Sequence, residues 1–197
     1  MKFFGVTDKA ISIDDIADWL QENMIDAEIE SDQESEPGDW QELTLLLDGG
    51  EPVVDVVKLS SATSEFDEAI EETVRMLLDS PVPINPASAV RWLCQYMKRV
   101  KVIYNFSPLI GLDSEAGWVL FDTVWKSVRK ELKGIVFCEG EGFTNEEGAQ
   151  ITCQFTGTMS GQVNAAVLGE DGQWQEFSLD LSDNQALESF QRGQKPA

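Results

Sequence analysis

A chain of 197 residues that is 42% hydrophobic, with ten Phe and six Trp, holds enough apolar material for a sizeable core and too much for disorder throughout. Its formal charge is −22, and residues 1–90 hold 22 of the 36 acidic residues beside only Lys2, Lys9, Lys58 and Arg75, so this stretch alone carries −18. Such a field repels nucleic acid and anionic membrane and attracts basic proteins, while the absence of histidine removes Ser-His-Asp and Cys-His chemistry together with the commonest metal ligand.

The first expected strand is residues 2–7. Asp8 and Lys9 interrupt the opening apolar run well short of a signal peptide, and no stretch of about twenty apolar residues occurs anywhere, so a cytoplasmic protein outside the membrane is expected. Ser12, with Asp15 at the capping-box position, predicts a helix over 13–24 whose apolar stripe is Ile13, Ile16, Ala17, Leu20 and Met24. Strands are expected at 27–31, 40–47 and 53–59, the last two joined by Asp48-Gly49-Gly50 as a hairpin turn. Ser64 and Asp67 repeat the capping box before a second helix with Phe66, Ile70, Val74, Leu77 and Leu78 inward. A third helix opens at Asn85-Pro86 and carries Ala89, Trp92, Leu93, Tyr96, Met97 and Val100.

A strand at 101–106 precedes a long helix over 113–133 that stops at Gly134. Further strands are expected at 135–139, 150–156, 162–168 and 173–181, with a short helix over 182–191. The fold class is therefore α+β, an antiparallel or mixed sheet packed against helices. The order of elements suggests residues 1–60 as one βαβββ unit, 61–100 as a helical connector and 101–197 as a second βαβββ unit with a C-terminal hairpin and short helix; a single domain is the other arrangement.

The loop 32–39 spaces carboxylates at alternate residues, as calcium loops do, but Pro37 stands where the turning glycine belongs and no helix pair flanks it, so a solvated hairpin loop is expected. In the loop 140–148 glycines surround Phe143, an aromatic that either serves as a recognition anchor or folds back onto the core. Glu65, Asp67, Glu68, Glu71 and Glu72 crowd like charges onto the second helix, which reads either as a docking face for a basic partner or as a solvated face. Lys126, Arg129, Lys130 and Lys133 fall in the last turns of the fourth helix, where they suit its dipole. Cys94, Cys138 and Cys153 lack CxxC spacing and are expected as buried thiols, and the six Trp as core.

Three apparent motifs fail. Ser160 is misplaced for a nucleophile elbow, Gly140-Glu141-Gly142 lacks the third glycine of a dinucleotide fingerprint, and the sequon Asn105-Phe106-Ser107 has no secretory context. The expected function is that of an acidic binding or regulatory protein, of the kind found among inhibitors, immunity proteins and adaptors, with a basic protein partner. Its partner-binding residues are Glu65, Glu68, Glu71, Glu72 and Phe143, with no cofactor, metal, nucleic acid or membrane and no expectation for oligomeric state. The alternative is a carboxylate-based enzyme using Glu139, Glu141, Glu146 and Glu147, either with a divalent metal or as a glycosidase-like acid/base pair.

Overall fold

Successive side chains of a strand point to opposite faces, so two adjacent fully buried phenylalanines, Phe3 and Phe4, place the first strand, β1 (Lys2–Gly5), under cover on both sides. The computed structural model describes residues 1–32, 37–81, 84–154 and 160–196. The chain divides into two units, one of Met1–Thr63 with Lys101–Lys133 and the other of Ser64–Val100 with Gly134–Ala197.

In the first unit β1 pairs with β5 (Val102–Pro108), setting Phe3 opposite Tyr104 and Phe4 opposite Ile103. β5 pairs in turn with β4 (Pro52–Ser60), β4 with β3 (Glu42–Leu47) and β3 with β2 (Ala27–Ser31), so the order is β2-β3-β4-β5-β1 and every pairing is antiparallel. Gly49 and Gly50, at φ 101° and 83°, take the left-handed conformations that close the β3–β4 hairpin. Helix α1 (Ile13–Glu22) begins at the expected capping box: the Asp15 amide donates to the Ser12 hydroxyl at 3.0 Å, and the Ser12 amide donates to the Asp15 carboxylate at 2.8 Å.

The fourth helix in chain order, α4 (Glu115–Glu131), starts two residues later than its periodicity predicts, because Ile110–Asp113 winds into a 3-10 turn first. Ser114 caps it, accepting from the Gly117 amide at 3.0 Å, and a Cβ at Gly117 would stand 1.9 Å from the Gly111 carbonyl oxygen, so glycine is required there. α4 packs on α1, β3 and β4, where Phe106 meets the Trp125 ring edge-to-face at 5.1 Å and Phe3 meets it at 6.2 Å. Each such fully buried Phe contributes roughly 2–3 kcal/mol of transfer free energy.

The second unit holds the helix pair α2 (Ser64–Asp79) and α3 (Ala87–Met97), the hairpin β6–β7 (Gly134–Cys138 and Gly142–Thr144), the hairpin β8–β9 (Gln162–Leu168 and Trp174–Asp180) and α5 (Asn184–Gln191). α5 is capped by Asp183, which accepts from the Gln185 amide at 2.9 Å. It drops Phe190 into a small core with Cys153, Ala165, Val167 and Leu179. Trp92 on α3 bridges Tyr96 and Trp174, at 4.9 and 5.1 Å between ring centroids.

Several expected boundaries move. Pro86 caps α3 instead of standing at its first helical position, following a cis Asn85–Pro86 bond, and Ser64 is the first residue of α2 instead of its cap. The strand expected at 150–156 is, over 150–154, a segment held by isolated bridges of Gln150 to Thr144 and Ala165 and of Cys153 to Asn85; its remaining residues lie outside the described ones. β7 instead forms inside the stretch expected as an acidic loop. The β-α-β order of β1-α1-β2 recurs as β5-α4-β6, but the first continues as the meander β2-β3-β4, whereas β6 pairs only with β7 among the second unit's strands and β8 with β9.

Candidate functional site

On α2 the apolar spacing turns Phe66, Thr73 and Leu77 inward and leaves Glu65, Asp67, Glu68, Glu71 and Glu72 exposed on the opposite side. Glu65 accepts from the Ser64 hydroxyl at 3.2 Å, and none of the five takes part in an ion pair among the described residues. Arg75, one turn beyond Glu71 and Glu72, is exposed and makes none either. Glu65, Glu68, Glu71 and Glu72 are thus exposed on one helix with no ion pair among the described residues.

Phe143 does not belong to that surface, and its expected role as an exposed anchor is corrected: it is fully buried against Phe137, with ring centroids 4.8 Å apart. The loop folds back because its amide donates to the Thr152 hydroxyl at 2.8 Å. Beside it, Gly142 at φ 113° lies so close to Thr152 that a Cβ would stand 2.7 Å from that residue's carbonyl oxygen. Buried Gln150 completes the lock, donating to the carbonyls of Glu141 at 2.9 Å and Thr152 at 2.7 Å. Sequence separation hid these contacts. Only the glycine before Phe143, a residue that permits close backbone approach, pointed toward them.

Glu139, Glu141, Glu146 and Glu147 are all exposed. Glu146 accepts from the Tyr96 hydroxyl at 3.1 Å; burial of the phenol, joined by the Glu146 carboxylate, drives Tyr96 far above the ordinary tyrosine range. Among the described residues no group of three or more Cys, Asp or Glu could hold a metal ion. Of the acidic loop expected over 32–39, residues 33–36 lie outside the described ones; Asp32 caps the turn into β3, accepting from the Glu42 amide at 3.0 Å.

Burial holds the Lys58 ammonium below its ordinary pKa, with Asp39 and Asp32 opposing that effect. Lys58 sits over the Trp40 ring at 4.5 Å and donates to the Gly38 carbonyl. Trp40, in turn, donates to the Ile11 carbonyl at 2.8 Å, so this lysine closes the base of the loop and is accounted for structurally. Two basic residues of α4 are similarly engaged: Lys126 pairs with Asp122 at 2.6 Å and Arg129 lies over Trp125. The cysteines are thiols, with Cys153 buried and Cys94 and Cys138 half-buried.

What the apolar periodicity missed is exposure. Trp118 and Val119 on α4, Ile110 before it and Met24 after α1 are open to solvent, Met24 at 93%. No helix among the described residues is long and apolar enough to cross a membrane. No family model matches this chain, and no curated protein or solved structure shows significant similarity to it.

Proposed function

We propose that this α+β protein is an acidic binding or regulatory module for a basic protein partner. The observation that supports this most directly is the α2 face, where Glu65, Glu68, Glu71 and Glu72 are exposed together without an ion pair among the described residues. Like charges at helical spacing cost some stability, and a cationic partner offsets that cost on binding. Electrostatic steering makes such association fast and strongly dependent on ionic strength. The test compares proteins retained from lysate by the immobilised chain and by its Glu68→Lys/Glu71→Lys variant, at low salt and at about 0.3 M, where the Debye length is roughly 5–6 Å. A basic protein held by the parent at low salt and lost both in the variant and at high salt is the expected result. Equal retention by parent and variant would defeat the assignment of α2.

A further inference from the structure

β2 is the outer strand of the first unit's sheet, and among the described strands only β3 pairs with it. Its residues alternate in exposure. Ala27 and Ile29 are half-buried and turn toward α1, whereas Glu28 and Glu30 are exposed on the other face. Between α1 and this edge runs a groove of about 560 Å³, floored by Ala27 and Ile29 and walled by Ile13, Ala17, Leu20 and Met24. Ala17 on the helix and Met24 just past its end are exposed although both border the strand.

The end of α1 adds a second sign. The Ile25 amide donates to the Leu20 carbonyl at 2.9 Å and the Met24 amide to that of Gln21 at 3.0 Å, the paired bonds of a Schellman stop. That stop calls for a left-handed residue, normally glycine, yet the position is filled by Met24 at φ 55°. An adaptable apolar side chain is thereby held out at the groove mouth in a conformation that costs a β-carbon-bearing residue about 1 kcal/mol or more. Met24 also lines an adjoining hollow with Leu47, Ala116 and Val119, which the carboxyl-bearing Asp26 and Glu115 border as well.

We propose that the β2 edge receives an extended segment of a partner protein whose side chains alternate apolar and basic. Strand addition would align its apolar side chains with Ala27 and Ile29, beneath Ala17 and Met24, and set its Lys or Arg beside Glu28 and Glu30. Neither glutamate is in an ion pair among the described residues. Acidic residues on an outer strand also bar a second copy of this chain, since β2 against β2 would juxtapose Glu28 and Glu30 with their counterparts, while they favour a cationic strand. The inference rests on the proposed function only for the basic character of the partner, and it uses a different surface.

The test uses a peptide of about eight residues, alternating Val and Lys, with fluorescence anisotropy at low salt as the readout. Its comparators are a scrambled peptide of the same composition and two peptides N-methylated on one or the other alternate set of residues. The alternating peptide should bind at least about tenfold more tightly than the scrambled one, and one methylated form should lose a similar factor, because strand addition uses one edge of the peptide backbone. Glu28→Lys/Glu30→Lys should weaken it at least about tenfold and Glu68→Lys/Glu71→Lys by less than about twofold. Equal binding of alternating, scrambled and methylated peptides would overturn the strand-addition site while leaving the acidic binding function standing. Absence of binding by all of them, or weakening by the α2 variant alone, would overturn it too. Peptide binding at β2 beside lysate retention indifferent to α2 would uphold this site and defeat the α2 assignment.

Discussion

Met24 and Asp15 sit at opposite ends of α1, and each carries a prediction about one residue. Met24→Gly removes a left-handed β-carbon and an almost fully exposed side chain, so little buried surface is lost. Stability should rise by about 0.5–1 kcal/mol in urea denaturation. Affinity for the alternating peptide should fall at the same time, which is the signature of a residue kept for contact instead of stability. At the other end, the Ser12 hydroxyl and then its amide hold the Asp15 carboxyl below the usual carboxylate range. A depressed folded value means that the contribution is complete above the unfolded pKa of about 3.9 and is lost as pH falls through the lower folded one. Asp15→Asn should therefore cost about 0.5–1 kcal/mol near neutrality, in line with other cap losses. Its penalty relative to the parent should fade as the solution is acidified below about pH 4; a penalty that persisted unchanged there would show that the carboxylate charge is irrelevant to the cap.

At the scale of elements, the β6–β7 hairpin is the place where long-range contacts decide what local pattern leaves open. Since Phe143 is fully buried on Phe137, Phe143→Ala should destabilise the protein by about 3–5 kcal/mol, as deletions of buried aromatics do, and thermal denaturation measures it. A change below about 1 kcal/mol would return this side chain to the surface. The helices were legible because their burial follows a 3.6-residue period that any amphipathic segment must show. β2, with glutamates alternating with apolar residues, and β8 were recognisable to the residue. β7 was not, because its three residues, Gly142-Phe143-Thr144, set among glycines and acids, carry no strand pattern and its place depends on Thr152 and Gln150, contacts that no local window contains. The same limit hid the groove at β2. The period that identified Ile16 and Leu20 as core cannot say that Ala17 and Met24, on the same stripe, overhang an unpaired strand edge. The acidic face of α2 was legible for the opposite reason: its charge is contiguous along the chain, so helical spacing alone gathers it.

For the whole molecule, folding redistributes the charge that looks lopsided along the chain. The first unit combines 20 acidic with 8 basic residues and the second 16 with 6, so they carry −12 and −10 where residues 1–90 alone carried −18. The redistribution comes chiefly from α2, whose six acidic residues and single arginine fall in the second unit, while residues 101–133 bring five basic and four acidic residues to the first. Both units are still strongly anionic, and self-repulsion destabilises each compact state. Added salt should therefore stabilise the protein as the Debye length falls from about 30 Å at 0.01 M to about 8 Å at 0.15 M. A gain of about 1–2 kcal/mol corresponds to a rise of roughly 3–6 °C in Tm for a chain of this size. Sodium and magnesium chlorides compared at equal ionic strength should give similar, gradual curves, because the carboxylates are spread over two units and screening needs no coordination. A Tm that rose steeply with magnesium or calcium and saturated near one equivalent per chain would instead reveal a cation site assembled from these carboxylates. Calorimetry under both salts separates the two outcomes.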